Sequence, residues 1–275
     1  MIILEPIGGL ANRMRVIASG IAMSKALNTG LQVIWNENYE LNCPFDKLFK
    51  PISEFSIVQK AKKYRHVKSS NQIGLFNRLQ ARLYNLLLNI DYCITGQDFP
   101  SLIWPGKLDI YEEGKNHKNI YIQTCHEFGN NTAAFRVFKP VAEIEESISE
   151  ITKKFTKNVI GIHIRRTDNL PAVTNSPVSL FIVAIKAELE AQSNTVFFLC
   201  SDDTMAKNEI IELFGEKIIA VKKEVSRNTV SGMQDAVVDM YCLSKTNKIL
   251  GSYYSSFPEV AARFHNIELQ VLKVK

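Results

Sequence analysis

The sequence predicts an α/β protein built on parallel sheets, and three observations carry that prediction. Residues 158–169 read NVIGIHIRRTDN: apolar and β-branched from 159 to 164 except at Gly161 and His163, then abruptly charged. Such a run is the composition of a strand buried on both faces of a parallel sheet. From there to the C-terminus, helical and strand patterns alternate regularly, the mark of a doubly wound layer. At the start of the chain a short apolar strand runs into Gly8-Gly9 and then into a helical pattern, a second β-turn-α unit.

Taken in order, residues 1–5 predict a strand, and the apolar positions Leu10, Met14, Ile17, Ile21 and Leu27 predict a helix over 10–27. Two glycines between them allow a tight turn and close backbone approach. Gly9, Asn12, Arg13 and Arg15 so near the turn point to a loop that faces a ligand; the alternative is a plain β-α connection. The turn lacks the third glycine of a dinucleotide fingerprint and is not a P-loop. Asn28-Thr29-Gly30 stops the helix before a strand at 31–35. A helical turn at 45–49 and a strand at 55–58 follow. The run 60–68 is basic, which usually means a solvated surface. Residues 76–90 place Phe76, Leu79, Leu83, Leu86, Leu87 and Ile90 on one helical face with Arg78 and Arg82 among them. That reads either as a core helix or as a basic amphipathic helix touching a membrane surface, a peripheral contact through 60–90. Residues 91–118, rich in Gly, Pro, Asn, Lys and Asp, read as a long irregular connection. A strand at 119–123 ends in His126 and Glu127, which are functional or merely structural. An acidic helix over 141–155 carries the domain boundary, giving a first domain of 1–150 and a second of 151–275.

In the second half, helices are expected at 178–191, 205–214, 233–244 and 258–264. Strands are expected at 159–164, 195–200, 217–221, 248–251 and 268–272. Gly215 closes one helix, and Pro258 stands in the first turn of another, where proline is tolerated.

Composition narrows the class. At 275 residues, 46% hydrophobic and 22% charged, the chain is that of a globular protein of one large or two ordinary domains. A net charge of +5 is too mild to indicate nucleic acid. No apolar run approaches the ~18 residues of a membrane span. The chain opens on MIILEP without a basic lead and long apolar run, so no signal peptide is expected. The five cysteines are widely spaced and form no CxxC pair, indicating neither a zinc ribbon nor a disulfide framework. The natural reading is a cytoplasmic protein.

Two adjacent arginines where a central strand runs out do not read as core packing, and open α/β sheets bind ligands beyond the carboxyl ends of their strands. Three predicted strand ends carry polar sets: His163/Arg165/Arg166/Asp168, Ser201/Asp202/Asp203 and Ser252/Ser255/Ser256. Parallel strands bring such ends to one edge. Guanidinium forks and hydroxyls before a helix start suit a diphosphate, and a carboxylate suits base or ribose donors. Together they point to a nucleotide site.

These stretches resemble a motif series. Gly8-Gly9-Leu10-Ala11-Asn12-Arg13, then His163-Ile164-Arg165-Arg166-Thr167-Asp168, Ser201-Asp202-Asp203 and Ser255-Ser256-Phe257 occur in the order found in the fucosyltransferase superfamily. That group comprises the α-1,2- and α-1,6-fucosyltransferases, the rhizobial Nod-factor enzymes and the protein O-fucosyltransferases. The helix segment Asp239 to Ser244 is similar to the D-x-x-x-x-S helix that precedes the last motif. The resemblance implies a GT-B-like fold of two Rossmann-like domains facing a cleft, the first on the acceptor side and the second binding GDP-fucose as donor substrate. It implies an inverting single displacement, with no metal and no other cofactor. By motif, Arg165 would neutralise the β-phosphate of departing GDP, His163 would contact the nucleotide, and Asp202 would hydrogen-bond guanine. Ser255, Ser256 and Phe257 would line the diphosphate and sugar pocket; Gly9, Asn12 and Arg13 would face it from the first domain. The chain has no Asp-x-Asp triplet, which speaks against the metal-dependent transferases that use one.

One departure concerns the general base that an inverting transfer needs. The α-1,6 enzymes carry a glutamate a few residues past the arginine motif, whereas here the stretch is Leu170-Pro171-Ala172-Val173-Thr174-Asn175. Asp168 and Glu127 are the candidates. The acceptor is expected to be a glycan or a lipid-linked glycoconjugate, met at the inner face of the membrane. Two alternatives stay open: a GT-B transferase using another nucleotide sugar, and a non-catalytic nucleotide-sugar-binding protein.

Overall fold

A computed structural model describes residues 1–59, 62–69, 74–129, 132–167, 169–221 and 226–274. Lys60 of the basic run and the candidate base Asp168 lie outside them. The chain divides into two compact units, residues 1–46 with 50–139, and residues 47–49 with 140–275. Each is built on one five-stranded sheet in which every pairing is parallel.

The first unit runs β1 (Ile2–Pro6), α1 (Leu10–Ala26), β2 (Leu31–Trp35), β3 (Ser56–Gln59), α2 (Leu75–Leu87), β4 (Tyr92–Thr95), α3 (Ile110–Asn116) and β5 (Ile120–Thr124), in sheet order β3-β2-β1-β5-β4. Alternation along β1 sorts its two faces. Leu4 packs against α1, close to Gly20, while Ile3 joins Ile34, Tyr121, Tyr64 and Ile90 in a core cluster on the other side.

The second unit runs α4 (Ala142–Thr152), β6 (Val159–Ile164), α5 (Leu170–Asn175), α6 (Val178–Ala191), β7 (Val196–Ser201), α7 (Thr204–Phe214), β8 (Ile218–Ala220), α8 (Val230–Ser244), β9 (Lys248–Ser252), α9 (Ser256–His265) and β10 (Glu268–Leu272). The sheet order β10-β9-β6-β7-β8 puts β6 at the centre. All six of its residues are buried, which is why the strand reads as an unbroken apolar run. Ile160, Ile162 and Ile164 pack with Phe181, Ile185, Phe197 and Ile210 on one face. Gly161 and His163 point to the other, and a Cβ at Gly161 would come within 2.8 Å of Leu243, so the glycine lets α8 lie close on the strand.

The structure departs from expectation in four places. The irregular connection over 91–118 contains β4, a π-helical turn at Phe99–Ile103 and α3, whose N-cap Asp109 accepts from the Tyr111 and Glu112 N–H groups. Four strand residues are too few for a periodic signal, so composition misled there. The boundary falls at 139/140 rather than 150. The acidic helix α4 buries Ile144, Ile148 and Ile151 in the second unit, in contact with α8. Residues 170–175, read only as a stretch without a carboxylate, form α5, capped by the Asn169 side chain. The core-helix reading of 76–90 fails: of the residues in α2 only Ala81 is buried, and Leu79, Leu83, Leu86 and Leu87 face outward.

Candidate active site

In each unit the strand order reverses beside one central strand, and that switch point is where open α/β sheets form a crevice beyond their carboxyl ends. In the second unit it lies between β6 and β9, and the end of β7 adjoins it on the far side of β6. The register Ile164 opposite Ser201 and His163 opposite Gly251 brings all three polar strand ends to one edge.

Asp202 organises that edge. Its Oδ1 accepts from the Arg166 N–H at 2.7 Å. Its Oδ2 accepts from the Thr167 hydroxyl at 2.7 Å and pairs with Arg165 Nη1 at 2.6 Å. Charge-assisted bonds of this length fix the guanidinium rather than leave it to sample rotamers. The Arg165 N–H also donates to Ser252 Oγ at 2.9 Å, and that hydroxyl donates to the His163 carbonyl at 3.3 Å, joining the ends of β6 and β9. Asp203, by contrast, caps α7 by accepting from the Ala206 N–H at 2.9 Å.

The two arginines part company. Arg165 is partly exposed at the edge, whereas Arg166 is buried, its Nη1 donating to the Val173 carbonyl at 3.1 Å and its Nη2 to the Ser176 carbonyl. Burial depresses its pKa, with Asp203 and Asp202 opposing. The expectation that both arginines face a ligand is therefore corrected: the C-terminal carbonyls of α5 need donors, and Arg166 supplies them.

His163 lies behind the edge. Its ring stacks on Phe257 with centroids 4.8 Å apart and planes 18° from parallel. Burial is the main cause that lowers its pKa to about 4; the nearby Asp202 raises it and Arg165 lowers it further. The imidazole is thus neutral near pH 7, and among the described residues its buried Nδ1 has no hydrogen-bond partner.

Between β9 and α9 the backbone is shaped for approach. Tyr254 sits at φ 54, a left-handed conformation rare for an aromatic residue. Its carbonyl accepts from Asn169 Nδ2 at 2.9 Å. Ser255 is the N-cap of α9, and its hydroxyl makes no capping bond. The first-turn N–H groups of α9, around Ser256 and Phe257, are consequently not satisfied by that side chain, which is the condition for anion binding at a helix N-terminus.

In the first unit the switch point lies between β1 and β5. Gly8 has φ +88, and a Cβ there would meet Asn12 Nδ2 at 2.8 Å, so the turn requires glycine. Its N–H donates to Glu40 Oε2 at 3.0 Å. Gly9 is the N-cap of α1, and Asn12 stays partly exposed in the first turn. Arg13 does something else. It is 0% exposed, with Nε donating to the Gly8 carbonyl at 2.8 Å, Nη1 to the Asn36 carbonyl at 2.6 Å and Nη2 to Asn38 Oδ1 at 3.0 Å. Its guanidinium also lies over the Trp35 ring, 5.0 Å from the centroid. Arg13 holds the glycine turn from within. At the end of β5, Glu127 is half-buried and His126 sits against Phe99 and Trp104, with centroids at 5.3 and 4.9 Å. Burial, then Arg15, lowers the His126 pKa.

The residues read from sequence thus fall into two sets. His163, Arg165, Asp202, Ser255, Ser256 and Phe257 share the sheet edge of the second unit, while Gly9, Asn12, Arg13 and Glu127 belong to that of the first. Sequence reasoning missed Glu40 and Asn38 at the glycine turn, and Asn169 and Ser176 beneath the arginine loop. The polar run Asn36-Glu37-Asn38 after an apolar strand was the one signal available for the first pair.

No family model and no curated protein matches the chain. Solved structures do. NodZ alpha-1,6-fucosyltransferase soaked with GDP-fucose aligns over 96% of this chain and 92% of its own, with TM-score 0.63 and 18% identity. Fucosyltransferase NodZ from Bradyrhizobium aligns over 94% and 92%, with TM-score 0.60 and 16% identity. POFUT1 in complex with GDP aligns over 99% and 98%, with TM-score 0.62 and 12% identity. Across nearly its whole length, this chain has the GT-B-like α/β fold of the fucosyltransferases.

Proposed function

We propose that the protein is an inverting, metal-independent glycosyltransferase that moves fucose from GDP-fucose to a glycan or lipid-linked acceptor. The observation that carries this reading is the Arg165 guanidinium, clamped by Asp202 at 2.6 Å on the edge where α9 begins, whose N-cap Ser255 hydroxyl makes no capping bond. A sugar diphosphate leaving group develops negative charge on its phosphates, and preorganised cationic and N–H donors at that place stabilise it without reorganising. NodZ and POFUT1, which share the fold, have been solved with GDP-fucose or GDP.

In this reading the acceptor oxygen attacks the anomeric carbon, the bond from that carbon to the β-phosphate oxygen breaks, and GDP departs with the electron pair. The acceptor proton passes to a carboxylate, Asp168 or Glu127. Arg165 and the first turn of α9, with Ser255 and Ser256, receive the diphosphate. Neutral His163 and Phe257 form a wall of the pocket. Asp202 positions Arg165 and, as a carboxylate with about four acceptor sites, also accepts from guanine in this reading. In the first unit the glycine turn with Gly9 and Asn12 is read as ligand-facing, with Arg13 holding it from within.

The test is thermal shift with GDP, GDP-fucose, GDP-mannose and UDP, each with and without EDTA, followed by donor consumption. Stabilisation by GDP and GDP-fucose that ignores EDTA is expected, since ligands raise the melting temperature through native-state binding. Arg165→Ala should abolish transfer while leaving the fold intact. Retained transfer, or indifference to every guanine ligand, refutes the reading; GDP binding with neither transfer nor donor hydrolysis would make the protein a binding module.

A further inference from the structure

The helix α2 is packed the wrong way round for a folded core. Its sequence, LFNRLQARLYNLL, puts six large apolar side chains on one face, and an ordinary surface helix turns such a face inward. Here Leu75, Phe76, Leu79, Leu83, Leu86 and Leu87 are between 60% and 85% exposed, and the buried residue is Ala81. The polar face is what meets the protein. Tyr84 packs on His66 with ring centroids 5.0 Å apart, and Asn85 Nδ2 approaches the Lys68 carbonyl at 3.5 Å. Six contiguous side chains exposed to this degree exceed the few hundred Å² of apolar patch that a soluble monomer usually presents.

Charge says what covers the face. From Phe55 to Ile90 the sequence contains seven Lys or Arg and no Asp or Glu. At 100° per residue, Arg78 and Arg82 border one side of the apolar stripe. The segment on which α2 rests contributes Lys62, Lys63, Arg65 and Lys68, all exposed. An apolar stripe rimmed by cations and free of carboxylates is complementary to an anionic lipid surface: leucines for the acyl boundary, guanidinium and ammonium groups for the phosphates. At 13 residues the helix is about 20 Å long, short of the ~30 Å of a hydrocarbon core, and no described helix is long and apolar enough to cross a membrane.

We propose that α2 and the Lys62–Lys68 segment form a membrane-docking surface that lays the leucine face into the interface of an anionic bilayer. The surface belongs to the first unit and shares no residue with the nucleotide edge of the second, so the proposal stands independently of the donor assignment.

The experiment is co-sedimentation of the full chain with vesicles of phosphatidylcholine alone or mixed with phosphatidylserine, at physiological and at high salt. The chain is expected to pellet with the anionic vesicles, to stay in solution with the neutral ones, and to be released by salt. The double variant L79N/L83N should lose vesicle binding with an unchanged melting temperature and an unchanged thermal shift with GDP. The K63Q/R65Q variant, whose side chains are solvated, should weaken binding about fivefold for each charge removed, roughly 30-fold in all. Wild-type chain that ignores anionic vesicles overturns the proposal. So does a wild-type dimer that L79N/L83N converts to monomer without any vesicle binding, because the occupant would then be a second copy of the chain.

Discussion

Replacing Arg13 separates two roles that its position in the motif leaves together: meeting the ligand, or holding the turn that meets it. The side chain makes three hydrogen bonds, to the Gly8 carbonyl, the Asn36 carbonyl and Asn38 Oδ1, and lies over the Trp35 ring. Burial lowers its pKa to about 10, with Glu40 and Glu5 opposing, so it remains charged at neutral pH. Each bond from a charged donor is worth about 1.5–3 kcal/mol. Removing the guanidinium also removes the desolvation that opposes them, and breaking a buried charged network usually costs about 3–5 kcal/mol. We take about 4 kcal/mol for Arg13→Ala. For Arg13→Lys, which keeps the charge and loses the fork, about 2 kcal/mol is expected. Both tryptophans, Trp35 and Trp104, belong to the first unit, so intrinsic fluorescence reports its unfolding selectively. With a urea slope of about 2 kcal/mol/M, the alanine variant should lower the midpoint by about 2 M. The lysine variant should lower it by about half as much and still bind GDP. A lysine variant with the wild-type midpoint and no donor binding or transfer would place Arg13 on the ligand and refute the reasoning.

Two further outcomes follow from the second unit. Asp202→Asn puts an amide where Arg165 now has its 2.6 Å partner, so the guanidinium loses its fixed pose. With about 2 kcal/mol of positioning lost, kcat should fall about 30-fold, and a fall in donor affinity alone would deny the positioning role. His163 has a folded pKa of about 4 against 6.5 for the free group. Between those values the unfolded chain holds the extra proton, so stability is complete above pH 6.5 and is lost as pH falls toward 4, by about 3 kcal/mol in all. Thermal melts of wild type and His163→Gln across that window should converge toward the acid end. A parallel pair of curves would mean that the imidazole titrates normally.

The sequence revealed what depends on one strand at a time and missed what depends on neighbours. The strand β6 was legible because burial on both faces writes itself as an unbroken apolar run, and its charged end marked the ligand edge without any partner being known. Neither Arg165 nor Arg166 differs in type, spacing or context from its neighbour. They separate because α5 leaves the carbonyls of Val173 and Ser176 in need of donors, and α5 was itself hidden in six residues with a proline in the first turn. Arg13 repeats the lesson: its motif position is that of a ligand residue, yet besides the Gly8 carbonyl it serves Asn36 and Asn38 in the loop after β2, whose approach to the glycine turn is a matter of parallel pairing between β1 and β2. The helix α2 gives it in its sharpest form. Periodicity shows that a helix has an apolar face and is silent on which side that face meets. Only Ala81 buried, with Tyr84 and Asn85 holding the polar side down, turns the leucines outward. The same arithmetic of periodic positions that predicts a core therefore predicts a docking surface once a single contact, that of the polar face, is known.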